Sequence, residues 1–379
     1  MITTFAVSGY RSLVDVVVPL GPLTVVSGAN GAGKTNLYRA LRLLAAAGSG
    51  QIIGDVAREG GLASALWAGP ETPQGAGAQG ATRKRPVSLR LGMSSDSFGY
   101  LVDLGLPQVD PMRSFFVHDP ELKREQVFTG EAPRPASVFI DRTRASTRVR
   151  GSGWRTVERT LRPDQSVLRD LDDPETITDT LQLREMMAQW RFYDHFRTDR
   201  ESPARQPRVG TRTRWMSDDG SDLAAVWATA IEAGADGSLN AAVDDAFPGS
   251  QVSIETTAGV FRLLLRQPGL LRPLATSELS DGTLRYLLLC AALLPTNPPP
   301  LVVLNEPEAS LHESLIAPLG ALIIAAARHT QVIVVTHSAQ LQSVLRSAGM
   351  SIELESTGYG TQVVGQGRLD APLWHWPTR

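Results

Sequence analysis

The chain has 379 residues, a formal net charge of −2, 42% hydrophobic residues and 20% charged residues. At about 100–200 residues per domain this is two domains or one with a large insertion, and the composition excludes wholesale disorder. The near-zero charge excludes a chain that is basic throughout, and a single cysteine, Cys290, excludes a disulfide framework and a multi-cysteine zinc site.

Residues 2–7, 15–18 and 23–27 are apolar and β-branched, with Gly9 and the Gly21-Pro22 pair as punctuation, and predict short strands. Residues 36–47 carry leucines at helical spacing and predict a helix that stops near Gly48. A Gly/Pro/Thr/Gln-rich loop follows over 69–85, then two strands within 87–103. Residues 134–162 read as irregular and arginine-rich, 181–196 as a helix, and 202–214 as an exposed connector. A helix over 222–233 has Ser221 as its expected N-cap and Gly234 past its end. Residues 251–255 and 260–266 suit a hairpin.

The last third alternates differently. Helices are expected over 281–294, 308–328 and 339–347, with apolar strands at 301–304 and 332–336. Continuous apolar strands between helices indicate a parallel sheet covered on both faces. Cys290, inside the first of these helices, reads as core packing. The longest apolar run, 315–327, is 13 residues and holds Pro318 and Gly320, against the roughly 20 of a membrane span. No secretory leader is visible at the start, so a cytoplasmic protein without a membrane partner is expected.

Gly28-Ala29-Asn30-Gly31-Ala32-Gly33-Lys34-Thr35 is a complete phosphate-loop motif between an apolar strand and a helix. Its glycines let backbone N–H groups close around phosphate oxygens, and the helix start adds partial positive charge. Lys34 is expected on the terminal phosphates and the Thr35 hydroxyl on Mg²⁺. The strand 301–304 ends in Asn305-Glu306-Pro307, where a parallel sheet presents ligand-binding residues. Glu306 is expected to polarise the attacking water. Asn305 stands where ATPases with this phosphate-loop motif usually carry an aspartate toward Mg²⁺. Ser280-Asp281-Gly282-Thr283 opens a helix, and its free N–H groups suit an anion. His337 follows the strand 332–336.

The order of these four features, phosphate loop, Ser-x-Gly helix start, strand-Glu and strand-His, resembles the ATP-binding-cassette ATPases, within them the RecF, SMC and OLD-type branch. The stretches 59–67, 119–125, 190–197 (Trp-Arg-Phe-Tyr-Asp-His-Phe-Arg) and 304–308 (Leu-Asn-Glu-Pro-Glu) are similar to a bacterial family of stand-alone AAA-type ATPases, nearly end to end. The resemblance implies an α/β P-loop NTPase fold: an ABC-type head whose mixed sheet is flanked by helices, with a helical insertion lobe over about 165–248. It divides the chain into 1–130, an N-terminal half of the head with the phosphate loop; 131–248, arginine-rich loops and the insertion; and 249–379, the C-terminal half.

It further implies ATP and Mg²⁺ as cofactors and a head-to-tail homodimer around two ATP molecules. One subunit supplies Asn30, Gly31, Ala32, Gly33, Lys34, Thr35 and Asn36, and the other Ser280 and Gly282. Glu306 is the implied general base, and His337 contacts the γ-phosphate or its water. Thr35 and Asn305 face the metal, Arg11 lies near the phosphates, and 308–312 crosses the interface. A lid glutamine is implied, with Gln51, Gln74 and Gln79 as candidates. Asn305 removes one charge from the metal's surroundings, so weaker Mg²⁺ affinity is expected, relieved by Asn305→Asp. Asp281 replaces the glycine of transporter cassettes and places a charge near a phosphate unless it turns outward.

Residues 134–162 hold eight arginines against two acids, which suits DNA phosphates or an ordinary solvated loop. Trp374-His375-Trp376 suits a partner protein or packing on its own domain. The expected activity is ATP hydrolysis in DNA maintenance or in defence against foreign DNA, through DNA or an effector. The alternatives are an ATP-dependent binding switch without turnover and the detached ATPase subunit of a transporter.

Overall fold

The computed structural model describes residues 1–69, 88–110, 112, 114–367 and 370–378. The loop expected over 69–85, with the lid candidates Gln74 and Gln79, lies almost wholly outside the described residues. The chain forms two compact units, one of 1–21, 26–190 and 352–379, the other of 22–25 and 191–351. Their boundaries differ from 130/131 and 248/249. The chain passes between units inside two strands, β3 (Leu23–Gly28) and β17 (Met350–Thr357).

The first unit contains β1 (Ile2–Tyr10), β2 (Leu13–Pro19), the end of β3 (Leu23–Gly28), α1 (Lys34–Gly48), α2 (Ile52–Arg58) and α3 (Leu62–Ala65). Then come β4 (Leu89–Ser95), β5 (Gly99–Gly105), β6 (Glu121–Phe128), β7 (Val138–Thr143), β8 (Thr147–Arg150) and β9 (Trp154–Thr156), followed by α4 (Val167–Asp170) and α5 (Ile177–Ala188). Among the described residues the strands form an antiparallel sheet in the order β2-β1-β4-β5-β6-β7-β8-β9.

Three strands thus replace the irregular segment expected over 134–162. Charge pairing explains why so arginine-rich a stretch folds into a sheet. Asp141 receives hydrogen bonds from Arg124, Arg148 and Gln126, and Arg142, 1% exposed, pairs with the fully buried Glu125. Burial opposes the Asp141 charge, but the bonds from Gln126, Arg148 and Arg124 hold its carboxyl below the usual range. Arg144, Arg155 and Arg162 also face acids, namely Glu121, Asp173 and Asp164. The tail folds back within this unit. Trp374 stacks edge-on against Phe128, and Trp376 donates its indole N–H to Asp15 at 3.0 Å.

The second unit holds the start of β3, β10 (Arg191–Tyr193), β11 (Arg208–Val209), α6 (Leu223–Glu232), α7 (Gly237–Ala246), β12 (Gln251–Thr257), β13 (Val260–Arg266) and β14 (Leu274–Ala275). It continues with α8 (Asp281–Leu293), β15 (Leu301–Asn305), α9 (Ile316–Ala326), β16 (Gln331–Val335) and α10 (Ala339–Leu345). β10, β15 and β16 run parallel, with β16 beside β3. β15 and β16 are buried along their full length, as their unbroken apolar sequence requires. From Leu284 to Leu293 every residue of α8 is buried. Each fully buried leucine there contributes about 1.5–3 kcal/mol, so α8 is an internal pillar of the unit. Cys290 packs in this core, where burial pushes its thiol pKa up. The strand that leaves this unit in β3 ends in the first unit, which also contains β18 (Gly360–Val363) and nearly all of β17 (Met350–Thr357), an antiparallel pair.

Several expectations are corrected. The helix expected over 181–196 stops at Ala188, and Arg191–Tyr193 is strand β10. The aromatic side chains of this stretch suit a half-buried pleated surface better than a helix. The helices of 165–248 are not one lobe, for α4 and α5 belong to the first unit and α6 and α7 to the second. The helix expected over 308–328 begins only at Ile316. Before it the backbone turns through left-handed conformations at Glu306 and Ser310, which no helix accommodates. Pro318 then sits in the first turn, where its missing N–H costs no intrahelical bond. Asp222, not Ser221, is the N-cap of α6, and its carboxylate accepts from the Ser217 amide instead of capping.

Candidate functional site

The first unit carries the phosphate loop, and it is built from backbone. Gly28, Gly31 and Gly33 all have left-handed φ values, 143°, 79° and 100°. At Gly33 a Cβ would also overlap Thr361 Oγ1 and crowd Ser12 Oγ, so both conformation and space demand glycine. Helix α1 starts immediately afterwards at Lys34, with no acidic residue in its first turn. Its unpaired N–H groups and dipole therefore remain available to an anion.

Lys34 is only 6% exposed, and its ammonium donates to the carbonyls of Gly28 at 2.8 Å and Ala29 at 3.0 Å. The lysine thus folds over the loop it serves. Asn36 Nδ2 donates to Ser12 Oγ at 2.9 Å. Ser12 also shares a hydrogen bond with Thr361, which donates to the Ala32 carbonyl at 2.9 Å. Ser12 and Thr361 are braces that the motif itself does not reveal, since they lie far from it in sequence. Thr35 is half-buried beside Lys34. Asn30 and Gly31 are exposed and Ala32 is buried.

Arg11 sits in the β1–β2 turn with φ 46° and donates to Glu59 at 3.0 Å, beside Tyr10, whose hydroxyl also donates to Glu59. The partner found for Arg11 is therefore a carboxylate of the Glu59-Gly60-Gly61 stretch. Gln51 directly precedes α2.

The second unit carries the strand-end residues, and these are built from side chains. Asn305 closes β15, and in register it pairs with Val335 of β16. Glu306 follows with φ 48° while its N–H still donates to the Val335 carbonyl at 2.8 Å. A non-glycine residue held in that region stores about 1–3 kcal/mol of strain, which surrounding bonds must hold in place. His337 Nδ1 lies 3.3 Å from Glu306 Oε1 and 3.8 Å from Glu308 Oε1.

Glu308, 7% exposed, accepts from the Thr336 hydroxyl and from the Ser338 N–H at 3.2 Å, leaving its Oε2 unpaired. Arg285 of α8, 1% exposed, donates to the Glu306 carbonyl at 3.3 Å and lies 3.0 Å from His195 Nδ1. Arginine only donates, so His195 Nδ1 is the acceptor of this contact. Burial lowers the Arg285 pKa, while the charges of Glu308, Asp194 and Glu306 favour its ionised form. Asn305 Nδ2 donates to Asp194 Oδ1 at 2.7 Å.

Ser280 caps α8, accepting from the Thr283 N–H at 3.2 Å, and it is exposed next to Gly282. Asp281 turns away into an ion pair with Arg205 at 2.7 Å, and Arg205 also donates to the Thr276 and Leu279 carbonyls. Its charge is thereby occupied, and the helix start keeps its anion-accepting character. Among the described residues no group of three or more His, Cys, Asp or Glu forms a metal site by itself, and no helix is long and apolar enough to cross a membrane.

The sequence pointed to Asn305, Glu306 and His337. It missed Asp194, His195, Arg285, Glu308 and Thr336 as their neighbours. The one available signal for Asp194 and His195 is the Trp190-to-Arg197 stretch, most of which falls within the helix expected over 181–196.

Comparison with solved structures gives the fold. An SMC head bound to the C-winged helix domain of ScpA is 14% identical, with 96% of this chain and 97% of that one covered at a TM-score of 0.53. The Smc head with an extended coiled coil from Pyrococcus furiosus, bound to the C-terminal domain of ScpA, is 13% identical, with 96% and 95% covered at 0.51. An OLD nuclease of Thermus scotoductus is 48% identical over 44 residues, 12% of this chain and 8% of that protein. The chain therefore matches only a small part of that curated relative's length. The family model described as "AAA domain, putative AbiEii toxin, Type IV TA system" matches residues 23–343. The chain belongs to this family, and its fold is that of the SMC heads.

Proposed function

We propose that the protein binds ATP with Mg²⁺ and hydrolyses it. The observation that carries this reading is the phosphate loop, whose left-handed glycines, buried Lys34 and free helix start form an anion cradle of backbone N–H groups. Lys34 then holds the terminal phosphates, and Glu306 is the general base that takes the proton of the attacking water. His337, beside Glu306, orients that water or the γ-phosphate. By the family resemblance Thr35 is the hydroxyl that a Mg²⁺ would use, and Asn305 stands at the strand end that faces the metal in such ATPases; the ion would neutralise phosphate charge. The donors fit such an ion: Asn305 Oδ1 is buried with no hydrogen-bond partner, and Mg²⁺ takes oxygen ligands while keeping phosphates and waters in its shell.

Ser280, exposed, and Gly282, half-buried, at a helix start whose nearest acid is neutralised, are the surface that a second copy's ATP would meet in a head-to-tail dimer. A role in DNA maintenance or defence, through DNA or an effector, rests on the RecF, SMC and OLD-type resemblance. Its support from the arginine-rich segment is reduced, because most of those arginines already face acids.

The test is steady-state ATP turnover with Mg²⁺, comparing the native chain with Lys34→Ala. Native turnover is expected, with a loss of at least about 10²-fold in the variant. Turnover that survives the substitution would remove the loop from the chemistry. ATP binding without native turnover would favour the binding switch.

A further inference from the structure

Asn305 poses a problem for the reading above. The residue at the end of β15 is neutral, where an ion carrying two positive charges is best served by a carboxylate. The neighbouring strand resolves it. β10 runs parallel to β15 with Arg191, Phe192 and Tyr193 opposite Val302, Val303 and Leu304. One further step in that register sets Asp194 opposite Asn305, so both leave their strands at carboxyl ends, where parallel sheets bind ligands. The two side chains touch, Asn305 Nδ2 donating to Asp194 Oδ1 at 2.7 Å.

That bond fixes the amide. A carboxylate only accepts, so the NH₂ must face Asp194 and the amide oxygen must face elsewhere. Asn305 is 7% exposed, and its Oδ1 has no hydrogen-bond partner. A buried acceptor left unpaired costs about 1–3 kcal/mol, which a ligand at that oxygen would recover. Asp194 itself is exposed and so retains oxygen lone pairs for a cation. Nearby positive charge is held by Arg285, whose guanidinium is engaged by His195 and the Glu306 carbonyl rather than by Asp194.

We infer that Asp194 is the carboxylate that serves the nucleotide's Mg²⁺, with Asn305 as its positioning partner and a neutral oxygen donor. The acidic function has moved one strand over, from the end of β15 to the end of β10, and the amide at 305 has become the bridge that holds it. This rests on the Mg²⁺-ATP reading above. It also changes what Asn305→Asp alone should do. A second carboxylate would then stand within hydrogen-bond distance of the first, where like charges repel, so the single substitution brings no gain in Mg²⁺ affinity.

The test uses the full chain and a fluorophore-labelled ATP, titrated with Mg²⁺ and, separately, bound in excess chelator. Asp194→Asn keeps the shape and loses the charge. It should raise the Mg²⁺ concentration for half-maximal nucleotide binding by about 10–100-fold. Metal-free binding should stay unchanged or tighten, because a negative charge has been removed from the phosphates' surroundings. A merely structural role would weaken both together. The double exchange Asp194→Asn with Asn305→Asp returns one carboxylate and one amide to the pair, and should restore most of the Mg²⁺ dependence. Thermal melting of each variant checks that it folds, and the double exchange remains decisive if the single variant does not. An unchanged Mg²⁺ midpoint in Asp194→Asn, or equal weakening with and without metal, overturns the assignment while leaving ATP binding intact. Absence of any Lys34-dependent nucleotide binding in the native chain overturns both readings.

Discussion

The phosphate loop and the strand-end cluster solve similar electrostatic tasks by different means. The loop is eight consecutive residues whose function lies in backbone conformation, with three glycines at positive φ and a helix start behind them. The strand-end cluster gathers Asp194, His195, Arg285, Asn305, Glu306, Glu308, Thr336 and His337 from four separate stretches of chain, and its function lies in side chains. A backbone site tolerates almost no change at its glycines. A side-chain site depends instead on which strands and helices bring its members together, as they do Asn305 and Asp194.

Gly33→Val is expected to have the largest effect on this contrast. It forces a β-branched residue into φ 100° and drives Cβ onto Thr361 Oγ1. Strain of about 1–3 kcal/mol is expected, with loss of nucleotide binding. Binding by fluorescence titration checks it, and near-native affinity would show that the loop backbone is not the anion cradle.

Thr336→Val should act more mildly and on the other region. It removes the hydroxyl that donates to the buried Glu308 and leaves the Ser338 N–H as that carboxylate's remaining donor. Urea unfolding should register about 1–3 kcal/mol of destabilisation. Turnover should fall more than nucleotide affinity, because the change lies beside Glu306 and His337. A fall in affinity with unchanged turnover would break the division of labour between the two regions.

The same contrast explains what was legible in the sequence. The loop was readable because its residues are contiguous and each glycine has one physical reason to be there. β15 and β16 were readable because unbroken apolar runs between helices have few other solutions. β10 was not, because Trp190, Phe192 and Tyr193 also occur at spacings that suit a helix, and only pairing with β15 decides the matter. Without β10, the sequence gives Asp194 no place beside Asn305. The arginine-rich segment misled for a related reason. Its local charge was visible, but the cross-strand partners Glu125 and Asp141, which turn it into β7 and β8, depend on register.

The central claim is that Glu306 performs chemistry on a nucleotide that the loop holds without its help. The most direct measurement is ATP binding and ATP turnover on the same preparation of Glu306→Gln. The account predicts retained binding and a turnover loss of about 10²–10⁴-fold, the range of general-base catalysis. Turnover that persists in Glu306→Gln, or binding lost together with turnover, would contradict it.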